Sequence, residues 1–169
     1  MKHLLKIIEI QHLSKTGEVL WEDKNIHNLL HTDGEEFIID ILFAGEIVPV
    51  NYFFGLDNRT NINVSDDMET IETDGDEPDA NGYLRQKIPS EGLFEIGLVD
   101  TVTQATTPIL TFVAEGGSWG PVKNMFMTTL ADNSGILIST VSLGQSINVS
   151  DGETINLRMR IALQDCISC

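Results

Sequence analysis

Four groups of side chains in this sequence have types and spacings that invite chemistry, and each is incomplete. The histidines His3, His12, His27 and His31 all fall within the first 31 residues. His27 and His31 have the i, i+4 spacing with which two imidazoles on one helix turn hold a metal. They straddle a helix start rather than sit within a helix. Cys166 and Cys169 form a Cys-x-x-Cys, half of a zinc site or a redox pair, but no second cysteine pair exists to complete it. Glu77, Asp79, Asn81 and Gly82 match the early positions of a calcium-binding loop; Ile88 stands where the bidentate carboxylate should be. Trp119, Tyr52 and Tyr83 are the aromatics that could stack on a sugar if exposed. His-Glu-x-x-His, a nucleophile elbow and a glycine-rich phosphate loop are all missing. Carboxylates abound, yet no spacing singles out an acid–base pair. The expectation is a protein without enzymatic activity, resident metal or cofactor.

Charge narrows the partners. Asp and Glu outnumber Lys and Arg by 26 to 10, giving a net charge of −16. Such a surface repels phosphate backbones and anionic lipid, so neither nucleic acid nor membrane is expected as a partner. No apolar run approaches the roughly 18 residues that a transmembrane helix needs. Lys6 and Glu9 break the apolar N-terminus and no small-residue cleavage site follows, so this stretch reads as a strand and not a signal peptide. The cysteines read as free thiols on a loose tail, 164–169.

The elements that must position these residues are mostly strands, and the length suits a single domain over 1–169. Residues 3–13 and 18–27 alternate apolar and polar around Gly17, predicting an N-terminal hairpin that includes Trp21. This hairpin, 1–27, is expected to be an arm. The one clear helix spans 32–45: Thr32 or Asp33 caps it, and Glu35 and Glu36 occupy the first turn. Phe37, Ile38, Ile41 and Leu42 form one apolar stripe, and Gly45 ends the helix. The sandwich core is expected over 48–163. Within it, the acid-rich stretch 65–79 reads as a solvated loop with one short helical turn around Met68. Turn signals then separate short strands at intervals of about 8–15 residues, the signature of a jelly-roll-type β-sandwich. The last strand is the clearest, with Ile155, Leu157, Met159, Ile161 and Leu163 alternating with polar residues.

Two local features carry structural or interface roles. The bend Gly116–Gly117–Ser118–Trp119–Gly120–Pro121 separates two apolar strands. Its glycines supply positive φ and Pro121 fixes one φ, so Trp119 is expected to plug one end of the core. The competing role for Trp119 is an exposed ligand platform. Arg158 and Arg160 project together from the polar face of the last strand, as surface ion pairs or as cations offered to another subunit.

Several fragments together resemble small β-rich virion proteins of tailed bacteriophages. These are Asn-Leu-Leu followed by Gly-Glu-Glu-Phe-Ile at 28–39, Tyr-Phe-Phe-Gly-Leu at 52–56 and the acidic loop at 65–79. Gly-Tyr-Leu-Arg-Gln at 82–86, Gly-Ser-Trp-Gly-Pro-Val at 117–122 and Gly-Glu-Thr-Ile-Asn-Leu at 152–157 complete the set. The Cys-x-x-Cys tail falls outside this pattern. The resemblance implies a capsid decoration (cement) protein that bridges subunits of the major capsid protein, located in the virion and assembled as a homotrimer. It brings no catalytic residues. The alternatives are a minor tail or baseplate component and a glycan-binding jelly-roll module.

Overall fold

A computed structural model describes residues 5–90, 94–99 and 102–162. The chain is an all-β sandwich with two short helices. Its strands are β1 (Leu5–Leu13), β2 (Val19–Leu30), β3 (Asn51–Asp57), β4 (Gln86–Pro89), β5 (Glu95–Val99), β6 (Val102–Thr106), β7 (Leu110–Val113), β8 (Trp119–Thr128), β9 (Leu137–Val149) and β10 (Thr154–Ala162). Helix α1 (Thr32–Ile39) runs into a π turn (Asp40–Ala44), and α2 is Met68–Asp74.

All pairings are antiparallel and form one continuous path, β4-β3-β8-β9-β2-β1-β10-β6-β5, with β7 also on β10. The path folds into two layers because β2 belongs to both. Its residues up to His27 pair with β1, whereas Asn28, Leu29 and Leu30 pair with β9. Between the layers lie Ile10 of β1, Phe54 and Leu56 of β3, Met125 and Met127 of β8, and Ile155, Leu157 and Met159 of β10, all buried. The period-two pattern of the last strand is observed as expected as far as Met159, and Ile161 is half-buried at the rim. Leu163 and the cysteines lie outside the described residues.

The hairpin is not a peripheral arm. β1 is paired along both edges, to β2 and β10, and Ile10 is fully buried. Polar residues interspersed with apolar ones suit a strand with one wet face, and a strand central to a one-sided sheet looks the same in sequence as an exposed hairpin. The acid-rich segment has the expected helical turn at Met68, as α2, but it is not merely a solvated loop. The segment that includes α2 covers the outer face of the β3–β8–β9 layer, and α2 presses Met68 and Ile71 onto Phe126 and Leu137 to make a second small core. A capping box starts this helix: the Asp67 carboxylate accepts from the Thr70 N–H at 2.9 Å, and the Thr70 hydroxyl returns to the Asp67 N–H.

Helix α1 and the π turn together match the expected span 32–45, with Gly45 as a left-handed C-cap of the π turn at φ 80°. Its N-cap differs. His31 takes the position and offers no side-chain bond to the helix, while its own N–H donates to the Ile138 carbonyl. Gly34 explains how α1 sits so close to β9: a Cβ there would lie 2.2 Å from the Ile138 carbonyl oxygen. Backbone on both sides leaves nothing to yield. Gly34→Ala should therefore cost about 1–3 kcal/mol, read as a lowered urea midpoint, and lift α1 off the sheet.

Candidate docking surface

The most connected polar cluster lies beneath the acid-rich cover. Arg59 reaches both oxygens of Asp57 at 3.1 and 2.9 Å, Asp66 at 2.8 Å and the Thr140 hydroxyl at 2.8 Å. Asn124 donates to Asp57 and to the Arg59 carbonyl, both at 2.8 Å. His31 lies 2.9 Å from the Asn63 carbonyl through Nδ1 and 2.8 Å from Thr140 Oγ1 through Nε2. The donors assign its tautomer. Nδ1–H must donate to the carbonyl, so Nε2 accepts from the Thr140 O–H, whose oxygen in turn accepts from Arg59. His, Asp, Arg and Thr in contact resemble a catalytic set. However, His31, Asp57, Arg59 and Thr140 are all buried, and each polar group is committed to a structural bond. The cluster fixes the 57–67 loop to the sheet.

Burial, reinforced by the neighbouring Arg59 charge, holds the His31 imidazole below its ordinary pKa. The unfolded chain takes up this proton near pH 6.5, and the folded chain resists until lower pH. The His31 contribution to stability should thus be constant above about pH 7 and fall as pH drops below about 6.5, down to the folded pKa. Urea midpoints for the protein and its His31→Gln variant at about pH 7.5 and pH 5.5 isolate the term, since the variant should lose this part of the slope. Hydrogen-bonded carboxylates act in a lower window. Backbone donation from Thr70 to Asp67, and from Ser150 to Glu153, lowers both pKa values. Their contribution is therefore lost only below the ordinary carboxylate range.

The residues singled out from sequence are mostly structural. Trp119 is 7% exposed and packs edge-on against Tyr83 at 5.7 Å, so it plugs the core and is no ligand platform. Gly116 and Gly120 around it hold φ of 83° and 119°, which side-chain-bearing residues rarely adopt. Gly117 lies against the Asn81 side chain, and Pro121 follows a cis bond. Tyr83 is buried, with its hydroxyl accepting from the Leu56 N–H and donating to Glu77, each at 2.7 Å. Glu77 is further held by Arg85, and Asn81 donates to the Ser118 carbonyl. These bonds occupy two of the calcium-loop candidates, and no metal-like cluster occurs among the described residues. Trp21 is half-buried against the main core. Arg158 donates to the Thr107 carbonyl and pairs with exposed Glu95 at 3.2 Å, an ordinary surface ion pair. Arg160 stands two residues on, opposite Lys6 and Thr106. His12 contacts Glu153 at 2.9 Å across the sheet; His3 and the side chain of His27 lie outside the described residues.

A different surface stands out. The end of α1, the π turn and the segment leading into β3 expose Ile39, Leu42, Phe43, Ile47, Val48 and Val50, with Phe43 at 83% and Ile47 at 86%. One apolar stripe was expected on this helix. In fact apolar residues occupy positions 37, 38, 39, 41, 42 and 43, too many directions for one face to bury. That excess is the signal in the sequence that the expectation of a single buried stripe passed over. Two openings flank the segment. One, of about 280 Å³, lies between the two layers: Phe37, Tyr52, Met127 and Ile138 line one side, Ile96 and Ile161 the other. Beside it, β5 ends the sheet path with Ile96 and Leu98 exposed. The second opening, about 650 Å³, runs between α1 and the β8–β9 connection. A run of exposed large apolar side chains on an acidic protein is what a docking surface looks like. Compared with known proteins, the sequence matches no protein-family model and no curated protein.

Proposed function

We propose that this chain is a non-enzymatic virion structural protein that decorates a bacteriophage capsid and bridges neighbouring coat subunits. The observation that carries the reading is the exposed apolar segment from Ile39 to Val50, displayed on a sandwich whose reactive-looking polar groups are buried and mutually satisfied. The sequence fragments that resemble phage virion proteins supply the setting. In that role the apolar segment seats on the major capsid protein, and the acidic remainder keeps a densely displayed protein soluble. Assembly as a homotrimer, the state the resemblance implies, multiplies modest contacts by avidity.

The test is to mix the purified protein with undecorated capsid shells, sediment them, and heat the pellet. Saturable co-sedimentation with a raised disruption temperature is expected. A monomer that stays in the supernatant at every concentration would refute the reading.

A further inference from the structure

The larger opening differs from its neighbour in chemistry. Phe37, Ile47, Leu130 and Ile136 give it apolar lining, of which Ile47 and Leu130 are themselves exposed. Its rim carries Asp33, Glu36, Asp40 and Glu46. Among the described residues, none of these four carboxylates takes part in an ion pair, whereas the buried Asp57, Asp66 and Glu77 are each answered by an arginine. Nor do they converge on a point where an ion could sit. They are spread along the edges of an apolar trough.

We infer that this groove beside α1 takes a basic amphipathic segment of a partner protein, whose apolar side chains enter the trough while its Lys or Arg residues meet the four carboxylates. The volume of about 650 Å³ falls in the range of sites that enclose a ligand or a cluster of side chains. Charge complementarity selects the occupant. A second copy of this chain is a poor match for an acidic rim, because it carries a net charge of −16. An anionic lipid or nucleic acid meets the same repulsion, and an uncharged apolar partner would leave the acids desolvated without compensation. A segment with apolar anchors flanked by cations satisfies both lining and rim, in the manner of helices that dock into grooves. The inference rests on the decoration reading only for who supplies that segment, not for the groove itself.

The probe is a labelled synthetic peptide alternating leucine with lysine, titrated by fluorescence anisotropy, with a leucine–glutamate peptide as its counterpart. The lysine peptide should bind saturably, more weakly as salt rises, and the glutamate peptide should not bind. Glu36 and Glu46 are both exposed, so the Glu36→Lys/Glu46→Lys variant should fold normally and lose about tenfold or more in affinity. Asp79→Lys/Glu115→Lys makes the same charge change beyond the opposite end of β8 and should stay within about twofold. Equal losses in both variants, binding of the glutamate peptide, or no binding to the wild-type protein would overturn the inference. Capsid shells separate the two readings. If shells bind the protein and the Glu36→Lys/Glu46→Lys variant alike and the lysine peptide does not bind, decoration stands and the groove inference fails. If the lysine peptide binds selectively but shells do not, the groove stands and the decoration reading fails.

Discussion

Replacing Arg59 with methionine is expected to destabilise the protein by about 3–5 kcal/mol, enough to unfold many domains of this size. The guanidinium is the sole cation bonded to Asp57 and Asp66 among the described residues, and those carboxylates are 0% and 7% exposed. Methionine fills much of the volume but donates nothing. Two carboxylates are then left facing each other away from water, and the Thr140 hydroxyl loses one partner. Lysine should rescue only part of the loss, because a single ammonium cannot reproduce the fork that contacts Asp57 twice while reaching Asp66 and Thr140. A urea melt with unchanged m-value and a much lower midpoint is the expected result. A loss under about 1 kcal/mol would mean that water replaces the arginine and that the cover is not anchored there.

The second large effect lies at the surface and leaves the fold alone. Leu42→Asp/Phe43→Asp changes two exposed side chains of the π turn, which contribute little to the core, so folding stability should move by no more than about 0.5 kcal/mol per site. Affinity for capsid shells should fall by about 100-fold or more, because apolar anchors at the centre of an interface each contribute on the order of 2 kcal/mol. Sedimentation with shells measures the one, a urea melt the other. A variant that folds and sediments like the parent would place the docking surface elsewhere.

The contrast between these two sites shows which information was legible in the residues. Alternation along β10 and the stop at Gly45 are local patterns, set by strand and helix period and by backbone freedom, and both appear where the pattern put them. The position of β1 inside a sheet is not local. It depends on β10, more than 140 residues away, arriving as its neighbour. The acid-rich segment misled for another reason. Net charge averages over side chains, and it hid Met68 and Ile71 on one face of a helix turn and Asp66 opposite Arg59. His31 looked like half a metal pair by spacing. Only the fold reveals that its partners are Asn63 and Thr140, from a loop and from β9. The exposed apolar surface was written in the sequence as a helix apolar on too many sides, and it takes the structure to show that nothing among the described residues covers it.

Hydrogen–deuterium exchange, followed on the free protein and on the protein bound to capsid shells, tests the central claim most directly. Protection on binding should concentrate in residues 37–50 and along the adjoining groove, leaving the Trp119 bend and the β10 arginines as they were. Protection confined to the Trp119 bend or to Arg158 and Arg160, with residues 37–50 unchanged, would contradict the assignment of this surface.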